Sequence, residues 1–285
     1  MRRAIFPLIN SDELISIHQG ENITLIDART GPEAHTKYMS EHLKGAIFVD
    51  LEKQLAEIKP DAANGGRHPL PSPKKFAELI GNLGINTSSH VIVYDDKNGA
   101  NAAARFWWML RSIGHKKIQV IDGGYGAAIR AGFPTSSGEE KIVKKEMYKA
   151  RKWRLPTASL QDVKDVANEK SFIVIDVREK MRYDGVHEPI DLIAGHIPGA
   201  INIPYTNNLD DDGLFLSPVR LREKYMTALK ETPSQNVIVH CGSGVTACHT
   251  ILAMDAAWLP PPVLYTGSWS EWSRNNLPIA TSFEK

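Results

Sequence analysis

The chain has 285 residues, which at roughly 100–200 residues per domain suggests two domains. Hydrophobic residues make up 42% and charged residues 24%, so neither a disordered nor a fibrous protein is expected. Lys and Arg number 34 and Asp and Glu 33, which leaves a formal charge of +1. This near-balance argues against a general nucleic-acid binder, whose affinity would need an excess of cations.

No membrane or secretion signal is expected from the sequence. It has no run of about 18 apolar residues, the length that spans a bilayer. Met1–Arg3 is followed by the apolar stretch Ala4–Ile9, which is shorter than the core of roughly 7–15 residues that a signal peptide has. We therefore expect a cytoplasmic protein.

The first half of the chain alternates short apolar runs with helical patterns. The runs are rich in β-branched residues and predict buried parallel strands. The predicted strands are Thr24–Asp27, Ala46–Val49, Val91–Tyr94 and Ile118–Ile121, and the predicted helices include Pro73–Asn82 and Asn101–Ile113. This alternation implies right-handed βαβ crossovers and a mostly parallel sheet with helices on both faces.

The second half repeats the first. Leu25–Arg29 recurs as Val174–Arg178, and His42–Ile47 recurs as His196–Ile201. Three further segments recur in the same order, which indicates a tandem duplication. The strands predicted for the second copy are Phe172–Asp176, Ala200–Ile203, Val237–His240 and Val263–Tyr265.

A polar, charged segment separates the two copies, as is typical of a linker between domains. We predict an N-terminal domain over residues 1–140, a linker over 141–155 and a C-terminal domain over 156–285. The predicted fold class is α/β, with two tandem domains that each have a mostly parallel sheet flanked by helices.

The two cysteines, Cys241 and Cys248, are too few for a disulfide scaffold. Cys241 follows a predicted strand and precedes a helix that begins near Thr246, and ligands of open α/β sheets bind at such strand ends. Gly242 and Gly244 allow successive backbone N–H groups to turn inward as an anion nest, to which the helix N-terminus adds donors. We expect Cys241 to be a reactive thiolate and Cys248 to be a packing residue.

The same loop excludes several reactions. A phosphatase loop would need an arginine at Ala247, and a P-loop would need a Gly-Lys-[Ser/Thr] sequence. Redox exchange would need a second thiol close to Cys241, and no usual metal-ligand spacing joins the cysteines to His240 and His249. What remains is a loop that surrounds one sulfur with N–H donors and can stabilise a persulfide anion.

At these residues the sequence resembles the rhodanese superfamily, in particular its tandem-domain thiosulfate and 3-mercaptopyruvate sulfurtransferases. The resemblance covers essentially the whole chain. It implies that the N-terminal copy is catalytically silent, since Asp95 stands there at the position of Cys241. The motifs that carry it are Asp176-Val-Arg178, Gly195–Ala200, Cys241–Cys248 and Gly267–Trp272.

The resemblance implies an enzyme with a ping-pong reaction. Cys241 takes sulfane sulfur from a small donor as a persulfide and passes it to cyanide or a thiol. No metal or organic cofactor is implied. The implied partners are the donor and the acceptor, with a thioredoxin-like reductant as a further partner, and neither nucleic acid nor a membrane is among them.

The resemblance favours 3-mercaptopyruvate as the donor. Thiosulfate enzymes of the animal kind carry basic side chains where Gly242 and Ser243 stand here. Arg182 matches a family arginine that binds the donor carboxylate, whereas Ile190 stands at the position of a second one. Two alternatives stay open: a thiosulfate:cyanide sulfurtransferase, and a sulfur-carrier or regulatory module without enzymatic turnover.

The mercaptopyruvate branch also implies a proton relay. Ser243 is its hydroxyl, His68 matches its histidine and Glu52 stands at its carboxylate position. Arg67, next to His68, is an alternative anion clamp. The loop residues expected to bind the donor are Gly242, Gly244, Val245 and Thr246.

Overall fold

The computed structural model describes residues 5–18, 23–142 and 145–283. They form two compact units. The first comprises the described residues up to Ala56 with 71–154 and 211–215, and the second comprises 57–70, 155–210 and 216–283. Met1–Ala4, in the segment considered above as a secretion signal, and residues 143–144 of the predicted linker lie outside the described residues.

The first unit is built on a parallel sheet. Its strands are β1 (Leu8–Ile9), β2 (Ile23–Asp27), β3 (His42–Leu43), β4 (Ala46–Phe48), β5 (His90–Tyr94), β6 (Ile118–Ile121) and β7 (Thr135–Ser136). Its helices are α1 (Ser11–His18), α2 (Ala34–Ser40), α3 (Leu51–Gln54), α4 (Pro73–Asn82), α5 (Ala102–Ser112) and α6 (Gly124–Arg130). The strand order is β1-β6-β5-β2-β4, so β5 is the central strand, and β3 and β7 form a separate antiparallel pair.

The second unit repeats this plan. Its strands are β8 (Thr157–Ala158), β9 (Ile173–Asp176), β10 (Ile201–Asn202), β11 (Val237–His240) and β12 (Val263–Tyr265). Its helices are α7 (Leu160–Val166), α8 (Lys180–Tyr183), α9 (Pro218–Leu229), α10 (Thr246–Ala256) and α11 (Ser268–Trp272), with 3-10 turns at Tyr205–Asn208 and Ser234–Asn236. The parallel strands follow the order β10-β9-β11-β12-β8, which makes β11 central. The predicted fold class is confirmed.

Matching start signals place a helix before the central strand of each unit. Ser72 accepts a hydrogen bond from the backbone of the first turn of α4, and Ser217 does the same for α9. Each serine is followed by a proline, whose fixed φ suits the first helical position and whose missing N–H is not needed there. In the described part of the chain, no helix combines the length and the apolarity that crossing a membrane requires.

Matching ion pairs lie at the ends of equivalent strands. Arg29 lies 2.8 Å from the Asp27 carboxylate after β2, and Arg178 lies 2.6 Å from the Asp176 carboxylate after β9. All four side chains are buried. A buried charge is tolerated when it is paired and hydrogen-bonded, so these pairs have a structural role that both copies retain.

Residues 57–70 pack with the second unit, although they precede most of the first unit in the chain. The Gly65 N–H donates to Glu271 Oε1 at 2.7 Å, and the Arg67 N–H donates to Ser270 Oγ at 3.0 Å. Gly66 has a φ of +81°, and a side chain there would collide with the backbone of Gly267. The segment is thereby held against α11, a contact between residues some 200 positions apart.

Candidate active site

Cys241 lies at the carboxyl end of β11 and is 2% exposed. Backbone contacts with α11 fix its loop. The N–H groups of Trp269 and Ser270 donate to the carbonyls of Cys241 and Gly242 at 3.0 and 2.9 Å. The Cys241 N–H donates to Ser268 Oγ at 3.2 Å. The thiol is therefore held at the strand end by a rigid frame, at the edge where open α/β sheets bind ligands.

A backbone donor contacts the sulfur. The Gly244 N–H donates to Cys241 Sγ at 3.1 Å. Gly244 has a φ of +74°, and a Cβ there would lie 2.6 Å from Thr266 O, so this turn requires glycine. Within the described chain, the backbone N–H groups of Ser243 and Val245 have no hydrogen-bond acceptor. They remain available to an anion beside the sulfur, next to the N-terminus of α10.

Cys248 is placed differently. It lies within α10, is fully buried, and its thiol donates to the carbonyl of Gly244 at 3.3 Å. The side chain therefore packs the helix against the loop that holds Cys241.

The structure brings Ser243 and His68 together. A hydrogen bond of 2.7 Å joins Ser243 Oγ and His68 Nδ1, and the segment 57–70 supplies the histidine to this unit. Glu52 belongs to the first unit, where it is exposed on α3 and its N–H donates to the capping carboxylate of Asp50.

A cluster of arginines lies beside the residue that follows Cys241. Arg67 Nε donates to Asp191 Oδ1 at 2.9 Å, and Arg182 Nη2 donates to Asp191 Oδ2 at 3.0 Å. Arg274 Nη1 lies 3.5 Å from the same carboxylate. A Cβ on Gly242 would lie 2.9 Å from Arg67 Nη2 and 3.2 Å from Arg182 Nη2. We call Arg67, Arg182 and Arg274, with the carboxylate that joins them, the arginine cluster.

Glu188 holds the arginine cluster from the other side. It lies 2.9 Å from Arg182 and accepts the Asp191 N–H at 3.0 Å. Burial disfavours the charged forms of Glu188 and Arg182. The hydrogen bonds and the attraction between the two side chains outweigh burial, so the pKa of Glu188 is lowered and that of Arg182 is raised. Ile190, which the resemblance predicts at the position of a second family arginine, is 54% exposed and brings no charge.

In the equivalent loop of the first unit, a carboxyl side chain occupies the backbone donors. Asp95 follows β5 and is fully buried. Its Oδ1 accepts the N–H groups of Lys97 and Gly99, both at 2.9 Å, and its Oδ2 accepts those of Asn101 and Ala103 at 3.0 and 3.1 Å. Burial raises the pKa of this carboxyl group, and the four hydrogen bonds oppose that rise.

The sequence did not predict Asp191, Glu188 and Arg274 as site residues. Their contacts join segments far apart in the chain, since 124 residues separate Arg67 from Asp191. A signal was present in Glu188 and Asp191, which stand seven and four residues before the Gly195–Ala200 motif. Carboxylates in that place can orient arginines that bind an anion.

Comparison with protein families matches the Rhodanese-like domain at residues 10–130 and 159–275. The probable 3-mercaptopyruvate sulfurtransferase of Pseudomonas aeruginosa is 38% identical over 251 residues, covering 86% of each chain. The thiosulfate sulfurtransferase of Rattus norvegicus is 36% identical over 250 residues, covering 86% of this chain and 82% of the relative. The solved structure of 3-mercaptopyruvate sulfurtransferase from Leishmania major has a TM-score of 0.81 at 30% identity, covering 94% of this chain and 74% of that one. These matches confirm the predicted resemblance and the predicted class of enzyme.

Proposed function

Because this chain belongs to the family of rhodanese-like domain proteins, we propose that it moves sulfur from 3-mercaptopyruvate to a thiophilic acceptor through a persulfide on Cys241. The observation that carries this proposal is the surroundings of the Cys241 sulfur, which lies 3.1 Å from the Gly244 N–H. Within the described chain, the neighbouring N–H groups of Ser243 and Val245 have no acceptor, so they can donate to an outer sulfur. Asp95 cannot carry sulfane sulfur, so the first unit is the silent copy.

In the first half-reaction the Cys241 thiolate attacks the sulfur of 3-mercaptopyruvate. A sulfur–sulfur bond forms and the carbon–sulfur bond breaks, and its electron pair leaves as the enolate of pyruvate. The proton of the donor thiol must leave the sulfur, and the enolate carbon must take one up. The products are pyruvate and a persulfide anion, which the loop N–H groups stabilise as they would an oxyanion.

The hydrogen-bonded pair of Ser243 and His68 handles these protons. Their bond of 2.7 Å allows the hydroxyl to accept the donor's proton while it passes its own to the imidazole. The third member implied by the resemblance, Glu52, stays a prediction.

The arginine cluster binds the donor carboxylate. Arg67 and Arg182 each direct a terminal nitrogen toward the backbone at Gly242, and a guanidinium recognises a carboxylate through paired hydrogen bonds. The side chain of Arg67 is 27% exposed, so a ligand can reach it. We assign the backbone of Gly242, Ser243, Gly244, Val245 and Thr246 to the persulfide and the cluster to the carboxylate.

In the second half-reaction an acceptor attacks the outer sulfur. Cyanide takes the sulfur and becomes thiocyanate. A thiol, such as that of a thioredoxin-like reductant, takes the sulfur and becomes a persulfide. The Cys241 thiolate is the leaving group and is regenerated. The reaction therefore needs neither metal nor organic cofactor.

Comparison of kcat/KM for 3-mercaptopyruvate and thiosulfate, with cyanide as the acceptor, tests the donor. We expect 3-mercaptopyruvate to be preferred, and Arg182→Ala to raise its KM in protein that is still folded by circular dichroism. Thiosulfate is the second candidate, favoured by the 36% identity to the thiosulfate sulfurtransferase of Rattus norvegicus. A higher kcat/KM for thiosulfate would replace the proposed donor. Slow turnover with both donors would favour a sulfur-carrier module.

A further inference from the structure

We propose that Asp191 sets the charge preference of the donor site. Together with Glu188, its carboxylate leaves the arginine cluster with one uncompensated positive charge, which matches a donor with a single negative charge and discriminates against one with two. This inference rests on the proposed function. It adds a specificity-determining residue that is not part of the cysteine loop.

The contacts of Asp191 are those of a residue that organises cations. Its side chain is 0% exposed, and both of its oxygens are engaged by guanidinium groups. Arg67 and Arg182 donate to opposite oxygens, and Arg274 lies 3.5 Å from the first. A buried carboxylate in this position fixes the direction of the guanidinium groups and removes part of their charge.

The balance of charges follows from these contacts. The three guanidinium groups of the cluster face the buried carboxylates of Asp191 and Glu188. The adjoining pair of Arg178 and Asp176 contributes one charge of each sign. Among these seven side chains, one positive charge therefore remains for the donor.

Two neighbouring groups do not alter this balance. Glu179 lies 3.4 Å from Arg182 but is 53% exposed, so solvent and salt screen its charge. His240 lies 3.8 Å from Asp176, and because it is buried its pKa is lowered and it stays neutral at neutral pH.

Asp191 is close enough to the reacting group to act on the donor directly. Its Oδ2 lies 3.2 Å from the position of a Cβ on Gly242, the residue that follows Cys241. A donor beside the sulfur therefore meets a carboxylate together with the arginines. The carboxylate of 3-mercaptopyruvate takes up the single spare positive charge. The second negative charge of thiosulfate would be repelled by the Asp191 carboxylate.

The test is the rate at which each donor loads Cys241 with sulfur in a single turnover at low ionic strength. In Asp191→Asn we expect the ratio of the thiosulfate rate to the 3-mercaptopyruvate rate to rise by roughly tenfold, since one fewer negative charge faces the donor. The rise should shrink in about 1 M salt, where the screening length is only about 3 Å. Glu179→Gln is the matched control, because it removes one negative charge at an exposed contact of Arg182, and its ratio should stay within about twofold of wild type.

An unchanged ratio in folded Asp191→Asn, or an equal rise in Glu179→Gln, would overturn the proposal. If Asp191→Asn does not fold, Arg67→Gln decides, since it removes one positive charge from a half-buried position. The ratio should then fall severalfold, and an unchanged or higher ratio would contradict the assignment. If neither donor loads wild-type Cys241, the proposed function itself fails, and that outcome is distinct from a failure of the role of Asp191.

Discussion

The loops that follow the central strands of the two units differ in what their backbone donors bind. After β5, the Asp95 carboxylate accepts four backbone N–H groups. After β11, the Cys241 sulfur accepts only the N–H of Gly244 within the described chain, where the N–H groups of Ser243 and Val245 have no acceptor. In both units, backbone N–H groups of this loop therefore donate to the side chain at the strand end. The residue at the strand end decides whether a side chain of the protein fills the nest or a substrate can enter it.

The largest effect expected from this comparison is the loss of activity in Cys241→Ser. The serine keeps the loop but removes the nucleophile, so sulfur transfer should fall by at least about 10³-fold. The matched variant Cys248→Ser changes the other thiol, which packs against the carbonyl of Gly244, and should keep most of the activity. Equal losses in the two variants would contradict a single nucleophile.

In the first unit, the equivalent change should affect stability. Asp95→Ala removes the acceptor of four backbone N–H groups, two of them in fully buried hydrogen bonds, and an unsatisfied buried donor costs about 1–3 kcal/mol. With some compensation by water, we expect the free energy of unfolding in urea to fall by about 3 kcal/mol. Lys97→Ala changes an exposed side chain and keeps the backbone N–H that donates to Asp95, so the free energy of unfolding should hardly change. An unchanged free energy of unfolding in Asp95→Ala would show that the carboxylate does not stabilise the loop after β5.

The hydroxyl–imidazole pair is the next difference between the loops. Ser243→Ala and His68→Gln should each lower kcat with 3-mercaptopyruvate by about 10–100-fold, because general acid–base help is lost. The double variant should be little worse than either single one if the two side chains act together. His187→Gln, at an exposed position of the same unit, is the control. Losses that multiply would mean that the two groups act independently.

The smallest effect concerns stability in acid. The folded pKa of Glu188 is below its ordinary 4.5, so its stabilisation is present above that pH and is lost as the pH falls through the folded pKa. In Glu188→Gln the decline of Tm below about pH 4.5 should therefore be shallower than in wild type. Glu179→Gln, at an exposed partner of Arg182, should decline like wild type. If Tm declined in parallel in all three proteins, Glu188 would not contribute to the loss of stability in acid.

Local patterns predicted the fold and the cysteine loop well. The apolar run Val237–His240 is β11 as predicted, and Thr246 begins α10. The resemblance, and no local pattern, predicted that Arg67 and His68 belong with the cysteine loop, because their segment is held by α11, which lies some 200 residues further along the chain. Asp191 was not predicted. Its neighbours in sequence are exposed apolar residues, and only the folded chain brings arginines to it.

The most direct measurement is the mass of the tryptic peptides after the protein reacts with one equivalent of 3-mercaptopyruvate. The peptide that contains Cys241 and Cys248 should gain one sulfur atom, which cyanide removes. Fragmentation should place that atom on Cys241, and Cys241→Ser should gain none. A sulfur atom on Cys248, or wild-type protein that releases pyruvate without gaining sulfur, would contradict the role of Cys241 as the carrier.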